Sequence, residues 1–81
     1  MNILLSQKAI ASLATAPPAV QRALIKQLNF LARNLYHPSL RAKRFGDGSD
    51  RWQARVNDDW RFYFKIDADT YRISDVIPHP K

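Results

Sequence analysis

Eighty-one residues suffice for one domain over residues 1–81 with a small core, since a chain this short buries only about 60 to 65 per cent of the surface that its unfolded form exposes. A hydrophobic share of 46% beside 25% charge excludes the composition of a disordered chain, and the absence of cysteine excludes disulfides and thiolate metal sites. The net charge of +6, from 13 basic and 7 acidic residues, suits a polyanionic partner, nucleic acid first and an acidic protein second, or else serves only solubility.

In chain order, Asn2 to Leu5 is a short apolar run followed by Ser6, a favoured helix N-cap, so a strand and then a helix are expected. Ile10, Leu13 and Ala14 recur at helical spacing until Pro17-Pro18 ends the run. Pro18 opens a second helix, in which Val20, Leu24, Leu28, Leu31 and Leu35 form one stripe with Arg22, Lys26 and Arg33 off it. That helix should run about five turns, ending at Tyr36-His37-Pro38, where a His37 imidazolium would suit the negative end of the dipole. The two helices make an antiparallel hairpin. No apolar run approaches the roughly 20 residues of a membrane span. Met1-Asn2-Ile3 also lacks a secretory pattern, so the expected location is the cytoplasm, without membrane association.

After residue 40 the period changes from helical to two. Arg41 to Phe45 reads as a short strand, and Gly46 to Asp50 as a flexible loop. Arg51 to Val56 and Trp60 to Ile66 read as a hairpin about Asn57-Asp58-Asp59, and Asp67-Ala68-Asp69 turns the chain into a last strand over Thr70 to Ile77. The expected fold class is α+β: an N-terminal strand and a two-helix antiparallel hairpin packed on one face of a small, twisted, mainly antiparallel sheet.

In a sheet covered on one side, alternation separates the side chains of each strand. Trp52, Ala54, Val56, Trp60, Phe62, Phe64 and Ile66 should pack on the helices, leaving Gln53, Arg55, Arg61, Tyr63 and Lys65 on the open face. Charge distribution points to the same place: residues 1–46 contain no acid, and all acids are aspartates after Gly46, most of them in expected turns. Singly, such strand charges are ordinary solubility devices. Arg55, Arg61 and Lys65 together, beside the basic segment Arg41 to Arg44, point to a phosphate-binding surface. Tyr63 suits stacking on a base, and Lys43 and Arg44 fit either an approach to RNA or the solvation of an edge strand.

The element order, the segment LRAKRFG leading into WQARVNDDWRFYFKID, and the closing ISDVIPHPK together resemble the RelE/ParE superfamily of bacterial toxins. The resemblance spans nearly the whole chain and is most telling in RVNDDWRFYFKIDADTYRI. It implies a toxin neutralised by a cognate antitoxin protein. In the RelE-like branch such a toxin enters the ribosome and cleaves mRNA; in the ParE-like branch it inhibits DNA gyrase; a degenerate relative would only bind antitoxin. Carried over from the RelE-like pattern, Arg61 matches the arginine that contacts the scissile phosphate, Arg55 matches a lysine on the preceding strand, and Gln53 falls where a second lysine is usual.

The implied chemistry is attack of a ribose 2′-oxygen on the neighbouring phosphate, with fixed cations stabilising the charge that develops. It needs neither metal nor cofactor. RelE-like toxins place an acid/base residue near the C-terminus, for which His79, Lys81 and Tyr63 are the candidates here. The expected catalytic residues are Arg61, Arg55, His79 and Lys81, and the expected RNA-binding residues are Arg41, Lys43, Arg44, Arg51, Gln53, Tyr63 and Lys65.

Overall fold

Ser6 leaves the first strand in extended conformation, and its hydroxyl accepts the Ala9 amide at 3.0 Å, so the first helix starts where the capping residue dictates. The structure, a computed structural model, describes residues 1–46, 48 and 50–79. Its elements are β1 (Asn2–Leu5), α1 (Gln7–Thr15), α2 (Pro18–Arg33), β2 (Lys43–Arg44), β3 (Arg51–Arg55), β4 (Trp60–Asp67) and β5 (Thr70–Pro78). The strands form one five-stranded sheet in the order β1-β5-β4-β3-β2. β1 runs parallel to β5 and the remaining pairs are antiparallel. The expected α+β arrangement is therefore present. Of the expected loop, Asp47 and Ser49 lie outside the described residues, and so do Pro80 and Lys81.

The core forms between the helices and one face of β3, β4 and β5. Leu24, Leu31 and Leu40 meet Ala54, Phe62, Phe64, Ile73 and Val76, all essentially without exposure. Trp52 and Trp60 pack at its rim. Phe64 stacks on Trp52 and meets Tyr71 edge-on. Burial pushes the Tyr71 phenol up from its ordinary value, and nearby Tyr36 adds to the effect. Ile66 departs from the expected core. It is 38% exposed, although Tyr71 opposite it on β5 is buried.

Three local features correct the sequence expectation. Along α1 and its C-cap the inward stripe is Ala9, Leu13 and Ala16, whereas Ile10 is 55% exposed and Ala14 is exposed. Both stripes have helical spacing, and polar anchors select between them: Ser12 donates to Asp75 Oδ1 (3.0 Å) and Lys8 pairs with Asp75 Oδ2 (3.4 Å). Asp75 can reach α1 because β5 is bulged: Tyr63 faces Asp75 and Phe64 faces Ile73, so Ser74 is the extra residue. The bulge also inverts the alternation, which is why Ile73 and Val76 are both core residues.

The second helix ends earlier than expected. Asn34 caps it, and its side-chain oxygen accepts the Tyr36 amide at 3.0 Å, turning the chain away before Leu35. His37 consequently lies beyond the helix terminus. It stacks on Phe30, with ring centroids 3.9 Å apart, and its Nδ1 accepts the Ser39 amide at 3.2 Å.

A buried polar clamp then fixes the start of the sheet. Gln27, only 4% exposed, donates through Nε2 to the carbonyls of Ser39 (3.0 Å) and Arg55 (2.7 Å), and its Oε1 accepts the Ser39 hydroxyl (2.8 Å). The Arg55 amide in turn donates to the Leu40 carbonyl at 2.8 Å. The backbone at Arg55 is thus held from both sides. β2 is shorter than expected, only Lys43–Arg44, because Arg41 takes a positive φ of 46° that breaks the extended run.

Candidate nucleic-acid interface

The β3–β4 register sets Arg55 opposite Arg61, Gln53 opposite Tyr63 and Arg51 opposite Lys65, while Lys43 of β2 faces Gln53. Pleating therefore puts this whole set on the face away from the helices. Like charges directly opposite one another repel, so the Arg55–Arg61 pair must be held by other contacts. Arg61 Nη1 donates to the carbonyls of Asn57 (2.6 Å) and Trp60 (2.9 Å). Arg55 Nη2 pairs with the carboxylate of Asp58, which is itself exposed.

These acceptors all lie in the hairpin turn or at Trp60, the residue that closes it. The shape of the turn is set by Asn57, whose side-chain oxygen accepts the amides of Asp59 and Trp60, each at 2.9 Å. Asp58 and the Asn57 carbonyl were not singled out from sequence. The signal was the spacing of three residues from Arg55 to Asp58 across the turn, which is legible only once the turn geometry is known.

Arg41, Lys43, Gln53, Arg55, Arg61 and His79 line one cleft of about 310 Å³. His79 arrives there by a main-chain bond: its amide donates to the Asp59 carbonyl at 2.7 Å, continuing the β4–β5 ladder past Trp60 and Pro78. Among the described residues no carboxylate pairs with Arg61, Arg41 or Lys43. The cleft is thus a small concave surface of converging cations with an amide and an imidazole at its wall. Such a set can bind a phosphodiester through charge-assisted hydrogen bonds and can exchange a proton beside it.

Other expected site residues lie elsewhere. Tyr63 is on the open face but only 9% exposed, with Arg51 Cζ 4.5 Å from its ring centroid and Phe45 stacked beside it. It is therefore poorly placed to exchange protons with the cleft. Arg44 pairs in register with core-facing Trp52, so it points to the opposite side of the sheet from Lys43, and it forms an ion pair with Asp50. Lys65 lines a different hollow, with Leu4, Ser6, Arg72, Ile73 and Ser74. Lys81 lies outside the described residues. No group of three or more His, Cys, Asp or Glu side chains that could hold a metal ion occurs among the described residues.

No protein-family model matches the chain, and no curated protein sequence matches it. Solved structures do. The chain is similar to a YoeB/ParE toxin from Agrobacterium tumefaciens, with a TM-score of 0.81 at 10% identity over 99% of this chain and 100% of the other. It is similar to the RelBE2 toxin-antitoxin complex from Mycobacterium tuberculosis, with a TM-score of 0.80 at 20% identity over 96% of each chain. The YoeB-YefM complex from Staphylococcus aureus gives a TM-score of 0.80 at 15% identity over 99% of this chain and 98% of the other. The fold is that of the RelE/ParE-type toxins.

Proposed function

We propose that this chain is the toxin of a type II toxin-antitoxin system and acts as a ribosome-dependent mRNA endoribonuclease in the cytoplasm. The observation that supports the nuclease reading is the pairing of Arg55 with Arg61 across β3 and β4 in a cleft that also takes in His79. Arg61 binds the non-bridging oxygens of the scissile phosphate. Two turn carbonyls hold its Nη1, so little reorganisation is needed as charge builds on those oxygens. Arg55 adds a second cation once the phosphate displaces Asp58. The 2′-hydroxyl gives its proton to solvent water, its oxygen attacks phosphorus, and the bond to the leaving 5′-oxygen breaks as that oxygen takes up a proton. His79 is the group in the cleft suited to carry that proton.

Lys43 and Arg41 extend the positive wall toward the flanking phosphates. The ribosome supplies alignment of message and 2′-oxygen, so the protein need provide little beyond electrostatic stabilisation and proton transfer. A cognate antitoxin is the second partner, a reading supported by fold neighbours that are toxin-antitoxin complexes. No helix among the described residues is long and apolar enough to cross a membrane.

The test is cleavage of a defined message by the purified protein in a reconstituted translation reaction. Cuts should appear within translated frames and need ribosomes, and Arg61→Ala should slow them by about 10²- to 10³-fold. An intact message in that reaction, with growth arrest and gyrase-linked DNA breaks in cells that express the chain, would replace this reading with gyrase inhibition.

A further inference from the structure

Arg51 differs from the other arginines of strands β2 to β5 in how its charge is held. Arg44, Arg55 and Arg72 each pair with an aspartate, and Arg61 is held by turn carbonyls. Arg51 pairs with no carboxylate among the described residues. Its guanidinium lies over the Tyr63 ring, 4.5 Å from the centroid, and 5.7 Å from that of Phe45. The two rings beneath are nearly parallel, with centroids 6.0 Å apart and planes 14° from one another. Tyr63 is buried and Phe45 half-buried, whereas Arg51 is exposed. The aromatic pair is therefore a base, and its outer surface is a planar cation.

A guanidinium seated on an aromatic loses less freedom on meeting a ligand than one on a free stem, and its donor edge stays open. Planes of this kind stack nucleobases in single-stranded RNA. Position fits as well. Along β3 the residues facing the open side are Arg55, Gln53 and Arg51, so Arg51 lies about 13 Å from Arg55 by strand rise. That is too far for the base of the nucleotide whose phosphate is attacked, and suits a neighbouring one. Lys65, directly across from Arg51, is placed to meet the phosphate of that neighbour.

Resting on the nuclease reading above, we propose that the Arg51 surface, backed by Tyr63 and Phe45, is a nucleobase-stacking subsite that takes a neighbouring base of the RNA bound at Arg55 and Arg61. It fixes the polarity of the strand in the cleft and contributes the protein's own share of sequence preference. Stacking tolerates any base, and the open donor edge favours those with acceptors within reach.

The experiment measures binding of short single-stranded 2′-O-methyl RNA, which lacks the attacking hydroxyl, by fluorescence anisotropy at low salt. Single neutral methylphosphonates moved along the strand locate the phosphate held by Arg61, as the position whose penalty disappears in Arg61→Ala. Single abasic sites moved along the same strand locate the stacked base. A different nucleotide should show an abasic penalty of about tenfold. Arg51→Lys, which keeps the charge and loses the plane, should abolish that penalty while leaving the methylphosphonate penalty in place. Binding that depends on Arg61 but shows no abasic penalty, or one that persists in Arg51→Lys, overturns the subsite and leaves the nuclease reading standing. Absence of any Arg61-dependent binding overturns the subsite, and cleavage of the message in the reconstituted translation reaction decides the nuclease reading separately.

Discussion

Arg55 is the residue on which the cleft's charge depends most conditionally, because its guanidinium is already engaged by Asp58. Asp58 is largely exposed, and an ion pair of that kind is worth about 0 to 1 kcal/mol. An incoming phosphate would therefore displace it at small cost. Asp58→Asn should tighten binding of single-stranded RNA by up to about fivefold at low salt, and the gain should shrink as salt rises. Titrations at two ionic strengths check this; an unchanged affinity would mean that Arg55 does not meet the phosphate. Sequence reasoning reached Arg55, Arg61 and Gln53 because β3 and β4 alternate strictly on either side of a short turn, so side-chain direction follows from position. It did not reach the Asp58 contact, since that depends on a turn conformation set by the Asn57 side chain. Nor did periodicity fix the path of His79, which follows from one amide bonding to the Asp59 carbonyl.

At the scale of elements, the cleft owes its floor to a clamp that joins α2, the segment before β2 and the end of β3. Gln27 supplies it, and a glutamine on the apolar stripe of a helix is readable from sequence only as an interruption. Replacing it with leucine would strand the Ser39 and Arg55 carbonyls without donors at about 1 to 3 kcal/mol each. In a domain of this size each kcal/mol lowers the thermal midpoint by about 4 to 8 °C. Gln27→Leu should thus melt well below the parent protein, and message cleavage should weaken as the end of β3 loosens. An unaltered midpoint in a melting experiment would remove the clamp from the account. The elements themselves were legible where one signal was decisive, as with the Ser6 cap and the prolines between the helices. Where two patterns competed, as with Ala9 or Ile10 facing inward on α1, the choice lay with long-range contacts to Asp75 across the β5 bulge. The face of Arg44 was equally out of reach, because it depends on the register of a two-residue strand.

For the whole molecule, the distribution of charge matters more than its sum. Each aspartate in an ion pair among the described residues neutralises a cation on the sheet or on α1. Arg41, Lys43 and Arg61 enter none of these pairs, and all three line the same cleft as Arg55 and His79. A small protein so arranged directs its positive field to one end of an open sheet face, where an RNA backbone would be drawn in. The helices cover the other face and make the sheet a rigid platform, which is what electrostatic catalysis requires of a scaffold. The proposed activity is cleavage of messenger RNA in this cleft, with Arg61 as the principal cation. Its most direct test is mapping of cellular mRNA 5′ ends after brief induction of the wild-type chain and of Arg61→Ala, each confirmed to be folded. New 5′ ends are expected within translated frames for the wild type and none above background for the variant. Intact messages in arrested wild-type cells, or the same cuts in both strains, would contradict it.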